Sequence, residues 1–203
     1  MLRLIRSPAP AMPDLRLVCG HTYIRPPHDR DWSAWAELRN GSRAFLMPWE
    51  PTWPADALSR DYFRRRLRQQ TQDWRDDLAY SFFLFRVEDD AIIGGINVSN
   101  VRRGVAQTAS LGYWVGAAQA RNGHMSRALA AVIHYSFDRL ALHRLEAACL
   151  PDNEASAGLL LKCGFREEGF ARRYLRINGA WADHRLFALL ADDPRPPGKV
   201  IMA

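Results

Sequence analysis

Tyr113-Trp114-Val115-Gly116-Ala117-Ala118-Gln119-Ala120-Arg121-Asn122-Gly123-His124-Met125-Ser126 decides how this chain is read. The stretch begins β-prone, passes through a loop of small residues and opens an apolar ladder. That ladder, Met125, Ala128, Leu129, Val132, Ile133, Phe137 and Leu140, recurs at i, i+3 and i+4 and predicts an amphipathic helix of about four turns. A strand therefore feeds directly into a helix start, which presents free N–H groups and the positive end of a dipole. Both suit a pyrophosphate. Gly123 lets the backbone approach phosphate oxygens with no Cβ in the way, Arg121 adds charge and Ser126 a hydroxyl. A glycine before a helix also serves an ordinary turn, so the loop alone supports either reading.

Upstream, Leu17 to Ile24 reads as a strand closed by Pro26-Pro27. Asp29 or Asp31 is placed to cap a helix running to about Asn40. The segment Phe45 to Pro54 carries three prolines and reads as a stiff aromatic loop. A second helix is expected from about Ala55 to Trp74, with Arg64, Arg65, Arg66 and Arg68 on its polar sides. Tyr80 to Val87, Ile92 to Val98 and Gln107 to Val115 then form an antiparallel meander. Downstream come a strand from Arg144 to Leu150 and a short helix from Asn153 to Lys162 ended by Gly164. A hairpin from Phe165 to Leu190 turns at Asn178-Gly179.

The order β-α-α-β-β-β-α-β-α-β-β, with a parallel crossover at its centre, predicts a single α/β (α+β) domain. Its boundaries are expected at residues 16–191, between a leader tail, 1–15, and a C-terminal tail, 192–203.

Apolar residues make up 48% and charged residues 25% of the 203, a balance that supports a real core and argues against disorder. The net charge of +6 comes almost wholly from arginine and suggests anionic partners, although a solvated surface explains it equally. Cys19, Cys149 and Cys163 form no C-x-x-C pair and match no zinc spacing. They predict no metal and no disulfide framework, and so a cytoplasmic protein. No apolar run reaches the length of about 20 residues that a membrane span needs, and Pro8, Pro10 and Pro13 break any signal-type stretch.

The central loop resembles the pyrophosphate loop of the GCN5-related N-acetyltransferases, Gln/Arg-x-x-Gly-x-Gly/Ala between a strand and a helix. Leu150-Pro151-Asp152-Asn153-Glu154-Ala155-Ser156 and Leu161-Lys162-Cys163-Gly164-Phe165 are similar to that family's Asn-x-x-Ser and Lys-x-Gly-Phe segments. Pro48-Trp49-Glu50-Pro51, Gly112-Tyr113, His143-Arg144, Glu168-Gly169 and 174–184 resemble its ribosomal-protein-alanine branch. The likeness spans about residues 17–190. It departs at Ala120, where the family has Gln or Arg, at Met125 in place of a small residue, and at Ser110, where many relatives carry a glutamate proposed as general base.

The resemblance implies a mixed, mostly antiparallel sheet of about six to seven strands with helices on both faces. Its central parallel pair, 107–115 and 144–150, would splay where prolines and bulges fall. It implies acetyl-CoA as co-substrate, held by Trp114, Val115, Ala120, Arg121, Asn122, Gly123, His124, Met125, Ser126, Asn153 and Ser156. The acceptor would be a protein N-terminus, possibly of a ribosomal protein or on the ribosome, with no DNA or membrane partner. The enzyme would be a monomer or homodimer.

An α-amine, with a pKa of about 7.7–8.0, needs less help to reach its neutral nucleophilic form than a lysine at about 10.4. Positioning and a modest base therefore suffice. Glu50 is the candidate to recognise or deprotonate the ammonium, and Ser156 to protonate the leaving thiolate, with Tyr174 as the rival acid. Glu50 and Ser156 each have an ordinary alternative, an exposed loop carboxylate and a helix-surface serine. Asn153 doubles as a helix cap, and Glu146 either faces the site or pairs with Arg144. Acetylation of an aminoglycoside, polyamine or amino acid stays open, as do an RNA- or ribosome-binding module and a cofactor-binding regulator without turnover.

Overall fold

The computed structural model describes residues 12–197 and 201–202. The expected leader thus lies mostly outside the described residues. Among the described residues eight strands and a two-residue ninth form one sheet: β1 (Leu17–Cys19), β2 (Thr22–Arg25), β3 (Tyr80–Arg86), β4 (Ile92–Arg102), β5 (Thr108–Val115), β6 (Arg144–Cys149), β7 (Arg166–Ile177), β8 (Ala180–Leu190) and β9 (Ile201–Met202). The spatial order is β7-β8-β6-β5-β4-β3-β2-β1-β9, and only β5–β6 is parallel.

The count exceeds the expected six to seven for two reasons. Leu17 to Ile24 is a hairpin rather than one strand, because Gly20 takes a φ of +63° and Cys19 pairs with Thr22 across the turn. Within the stretch expected as a C-terminal tail, Ile201–Met202 adds to the free edge of β1.

Among the described residues five helices accompany the sheet: α1 (Trp32–Gly41), α2 (Arg43–Leu46), α3 (Arg60–Arg75), α4 (His124–Asp138) and α5 (Glu154–Lys162). Asp31, one of the two expected aspartates, occupies the N-cap position of α1, but its side chain makes no capping bond. Asp31 is buried and binds Arg25 through two bonds of 2.7 and 2.8 Å while accepting the His28 N–H, so it fixes the entry turn instead. The loop expected over 45–54 begins helical, through α2 and a 3-10 turn at Met47–Trp49. α3 starts at Arg60 under a Ser59 cap because tight turns occupy 54–59.

Alternation along β3 divides the core. Tyr80, Phe82 and Leu84 face the large cluster under α4, whereas Phe83 and Phe85 face Trp35 of α1 and Phe63 of α3. In β4, Gly94 pairs with Leu84 and Ile92 with Phe85, which leaves Ile93 as a bulge residue turned into the α4 side.

Gly94 and Gly95 then serve a close approach. A Cβ on Gly94 would sit 2.4 Å from the Trp114 carbonyl oxygen, and one on Gly95 2.7 Å from the Trp114 Nε1. Gly94→Ala is expected to cost about 2 kcal/mol, a fall of about 4–8 °C in Tm, since only backbone can give way. Gly112→Ala, with nothing within 4 Å of the new methyl, should leave the thermal midpoint unchanged.

Candidate active site

β5 and β6 pair from Thr108↔Arg144 to Leu111↔Ala147 and no further. Beyond that point β5 stays bonded to β4, and β6 to β8. The inner edges of Gly112–Val115 and Ala148–Cys149 therefore diverge unpaired, as expected of a splayed parallel pair. No proline or bulge of either strand lies at the split; each strand keeps its pairing with its outer neighbour through it.

From Val115 the chain runs straight to the α4 mouth. The Gly116 N–H bonds the Ile93 carbonyl at 2.9 Å, and the Ala117 N–H bonds Ser42 Oγ at 3.0 Å. Ala117–Gln119 make a 3-10 turn, after which Arg121 (φ +64°) and Gly123 (φ +73°) both take left-handed conformations around Asn122. Such alternation turns successive amides to one concave side, a geometry that binds anions. Gly123 is the N-cap of α4, and no side chain caps the helix. Among the described residues, no protein acceptor is assigned to the N–H groups of Arg121 to Ser126. The mouth thus fits a diphosphate.

Side chains here differ from expectation. Ser126 donates its hydroxyl proton to the Gly123 carbonyl at 2.9 Å, so it braces the turn instead of offering that proton to a phosphate. Met125 is buried in the core, and only its amide reaches the mouth. Arg121 is exposed. The cation at the mouth is one that sequence reasoning missed: Arg127 Nη1 lies 3.2 Å from where a Cβ of Gly123 would stand. Its place in the first turn of α4 was the available signal.

Across the split, just beyond the end of β6, Asn153 caps α5 by accepting the Ser156 N–H at 3.0 Å. The Ser156 hydroxyl then meets Tyr113 Oη at 2.8 Å. Burial holds the Tyr113 phenol well above its ordinary range, so it keeps its proton. Cys149, also raised by burial, lies beside the same hydroxyl. Tyr174, the rival acid, is half exposed, with its ring edge-on to His184 at 5.7 Å.

A second group forms around Glu50. Arg39 binds both its carboxylate oxygens at 2.8 and 2.6 Å, and Trp53 Nε1 donates to one of them at 2.7 Å. The guanidinium lies over Trp53 and Trp114, 4.3 and 4.8 Å from their ring centroids. The Asn178 N–H bonds the Glu50 carbonyl at 2.9 Å, which latches the tip of the β7–β8 hairpin onto this loop. A carboxylate engaged by three donors is an anchored acceptor, not a loose proton sink. Glu146 pairs with Arg144 at 2.9 Å, the second of its two expected roles. Among the described residues no group of three or more His, Cys, Asp or Glu side chains is placed to hold a metal ion, and no helix is long and apolar enough to cross a membrane.

Residues 21–166 match the family model described as an acetyltransferase (GNAT) domain. The chain belongs to the GNAT acetyltransferase family. It is 36% identical to the ribosomal protein uS5-alanine N-acetyltransferase of Escherichia coli (strain K12) over 185 residues, 91% of this chain and 95% of that one. The structure of Mycobacterium smegmatis RimJ in complex with CoA-disulfide is similar to this acetyltransferase with a TM-score of 0.82 at 32% identity, covering 89% and 88% of the two chains. The ribosomal-protein-S5-alanine acetyltransferase from Vibrio fischeri gives 0.81 at 33%, covering 88% and 100%.

Proposed function

We propose that this acetyltransferase carries the acetyl group of acetyl-CoA to the N-terminal α-amine of a protein in the cytoplasm, foremost a small-subunit ribosomal protein. The observation that carries this reading is one continuous track. The uncapped amides of the α4 mouth, the unpaired edges of β5 and β6, and the Tyr113–Ser156 hydroxyl pair follow one another along it. The relatives named for ribosomal-protein alanine support the choice of acceptor.

Acetyl-CoA supplies a thioester carbonyl open to a neutral amine. The Gly123–Ser126 amides and Arg127 would hold its diphosphate, and the strand edges its pantetheine arm in the manner of an added strand. The Asn153 side-chain NH2 is left free to join them, since only its oxygen serves the cap. Glu50, fixed by Arg39 and Trp53, receives and orients the incoming ammonium, and the proton lost on the way to the nucleophile passes to solvent. After attack the new amide nitrogen sheds its second proton to solvent; as the C–S bond breaks, Ser156 gives its proton to the sulfur and recovers one from solvent, while Tyr113 keeps its own and orients the Ser156 hydroxyl.

Incubation with labelled acetyl-CoA and a whole-cell lysate should place label on protein N-termini, read by mass spectrometry. Label confined to small amines would overturn the acceptor. Glu50→Gln should raise KM for an alanine-initiated peptide about tenfold, the weight of one charge-assisted contact, and leave kcat nearly unchanged. An unchanged KM would reduce Glu50 to a structural partner of Arg39.

The RNA-binding alternative loses ground. Arg60 and Arg64 pair with Asp29, and Arg65 with Asp56, so much of the α3 charge is balanced on the protein itself.

A further inference from the structure

Beside the α4 mouth lies a cavity of about 370 Å³ that the reading above leaves unused. Three separate segments line it: His21 from the β1–β2 turn, Arg86 and Glu88 from the end of β3 and its turn, and Asn122, His124 and Arg127 from the α4 mouth. Its polar groups are under-satisfied. His124 Nδ1 is buried without a hydrogen-bond partner. Arg127 has no carboxylate within ion-pair distance among the described residues, and its hydrogen bond is a long one, 3.4 Å to the Asn122 carbonyl. Arg86 gives Nε and one terminal nitrogen to Asp89, which leaves its other terminal nitrogen unassigned. Glu88 stands exposed at the rim. Burial first, then the proximity of Arg127, Arg86 and His21, pushes the His124 pKa down, while Glu88 is the carboxylate among the lining residues.

We infer that this cavity receives the 3′-phosphate of the coenzyme's adenosine. The inference rests on the acetyl-CoA reading of the α4 mouth. Asn122, His124 and Arg127 belong to the mouth and to the cavity alike, and in coenzyme A only the ribose separates the diphosphate from its 3′-phosphomonoester. A phosphomonoester is a compact dianion with three acceptor oxygens. It can take an Arg127 nitrogen beside the one left to the diphosphate, the spare Arg86 nitrogen and an N–H hydrogen bond from each histidine, converting orphaned donors into charge-assisted bonds. The preference for a 3′-phosphorylated coenzyme would then be built by residues from both ends of the β1–β3 region, not by the family loop alone.

The test compares coenzyme A with 3′-dephospho-coenzyme A by calorimetry, at low salt, on the full chain and on His21→Ala/Arg86→Gln. The parent protein should bind coenzyme A at least about tenfold more tightly. The double variant should lose that preference and keep its affinity for the dephospho form. His21→Ala alone, which removes no ion pair, should show part of the loss even if the double variant unfolds. Equal affinities in the parent would overturn the inference and leave the acetyl-CoA reading intact. A preference that survives in the variants would also overturn it, since the phosphate would then sit elsewhere. Binding of neither coenzyme would bring down both readings.

Discussion

Gly123→Asp should weaken acetyl-CoA binding by at least about 100-fold, roughly 2.7 kcal/mol, while the chain stays folded. Two facts separate binding from folding here. The φ of +73° is strained for most side chains, but aspartate tolerates the left-handed region better than most. The nearest atom to the new Cβ, at 3.2 Å, is the far end of the Arg127 side chain, which can swing away. The carboxylate would then stand where aspartate is favoured as an N-cap, accepting the very amides assigned to the diphosphate. The variant therefore fills the anion site from within and adds a charge that repels the cofactor. Calorimetry should show lost binding, and thermal unfolding a midpoint near that of the parent. Gly123→Ala, which keeps the strain and adds no charge, should lose much less. An undiminished affinity in Gly123→Asp would refute the loop assignment.

Ser156→Ala should lower kcat about 100-fold, the low end for a positioned proton donor, with acetyl-CoA affinity changed by no more than about twofold. The Asn153 cap accepts the backbone N–H of Ser156, so removing the hydroxyl leaves the start of α5 intact. What disappears is the partner of Tyr113 Oη, and with it the route for a proton to the departing sulfur. Tyr113→Phe should act in the same direction but less, because Ser156 would keep its own proton. A Ser156→Ala enzyme with parental kcat would move the acid role to solvent or to Tyr174.

Much of the fold was legible because its signals are local. The α4 ladder, the alternating YSFFLFRV strand and the Asn178-Gly179 turn each write their geometry within a few residues. Asn178 and Gly179 do adopt positive φ, at 43° and 84°. The β1–β2 turn was not legible. Gly20-His21 is a two-residue turn whose meaning depends on the φ of one glycine inside a β-prone run. At the site, the loop was readable as backbone chemistry, but the pairings that define it were not. Tyr113 and Ser156 stand 43 positions apart, and Arg39 and Glu50 belong to a helix and a loop brought together by packing on Trp53 and Trp114. Arg127 failed for another reason: an arginine on a helix is ordinarily solvated, and only its approach to Gly123 marks it out.

The latch between Asn178 and Glu50 has a consequence for how this enzyme diversifies. On the proposed reading, the cradle for the donor is cut from the middle of the chain, while the wall facing the acceptor is stitched from its first quarter and its last hairpin. The region matched to the family stops at residue 166, short of that hairpin. On that reading, substitutions at the two extremities of the polypeptide would alter the acceptor while leaving the donor cradle as it is.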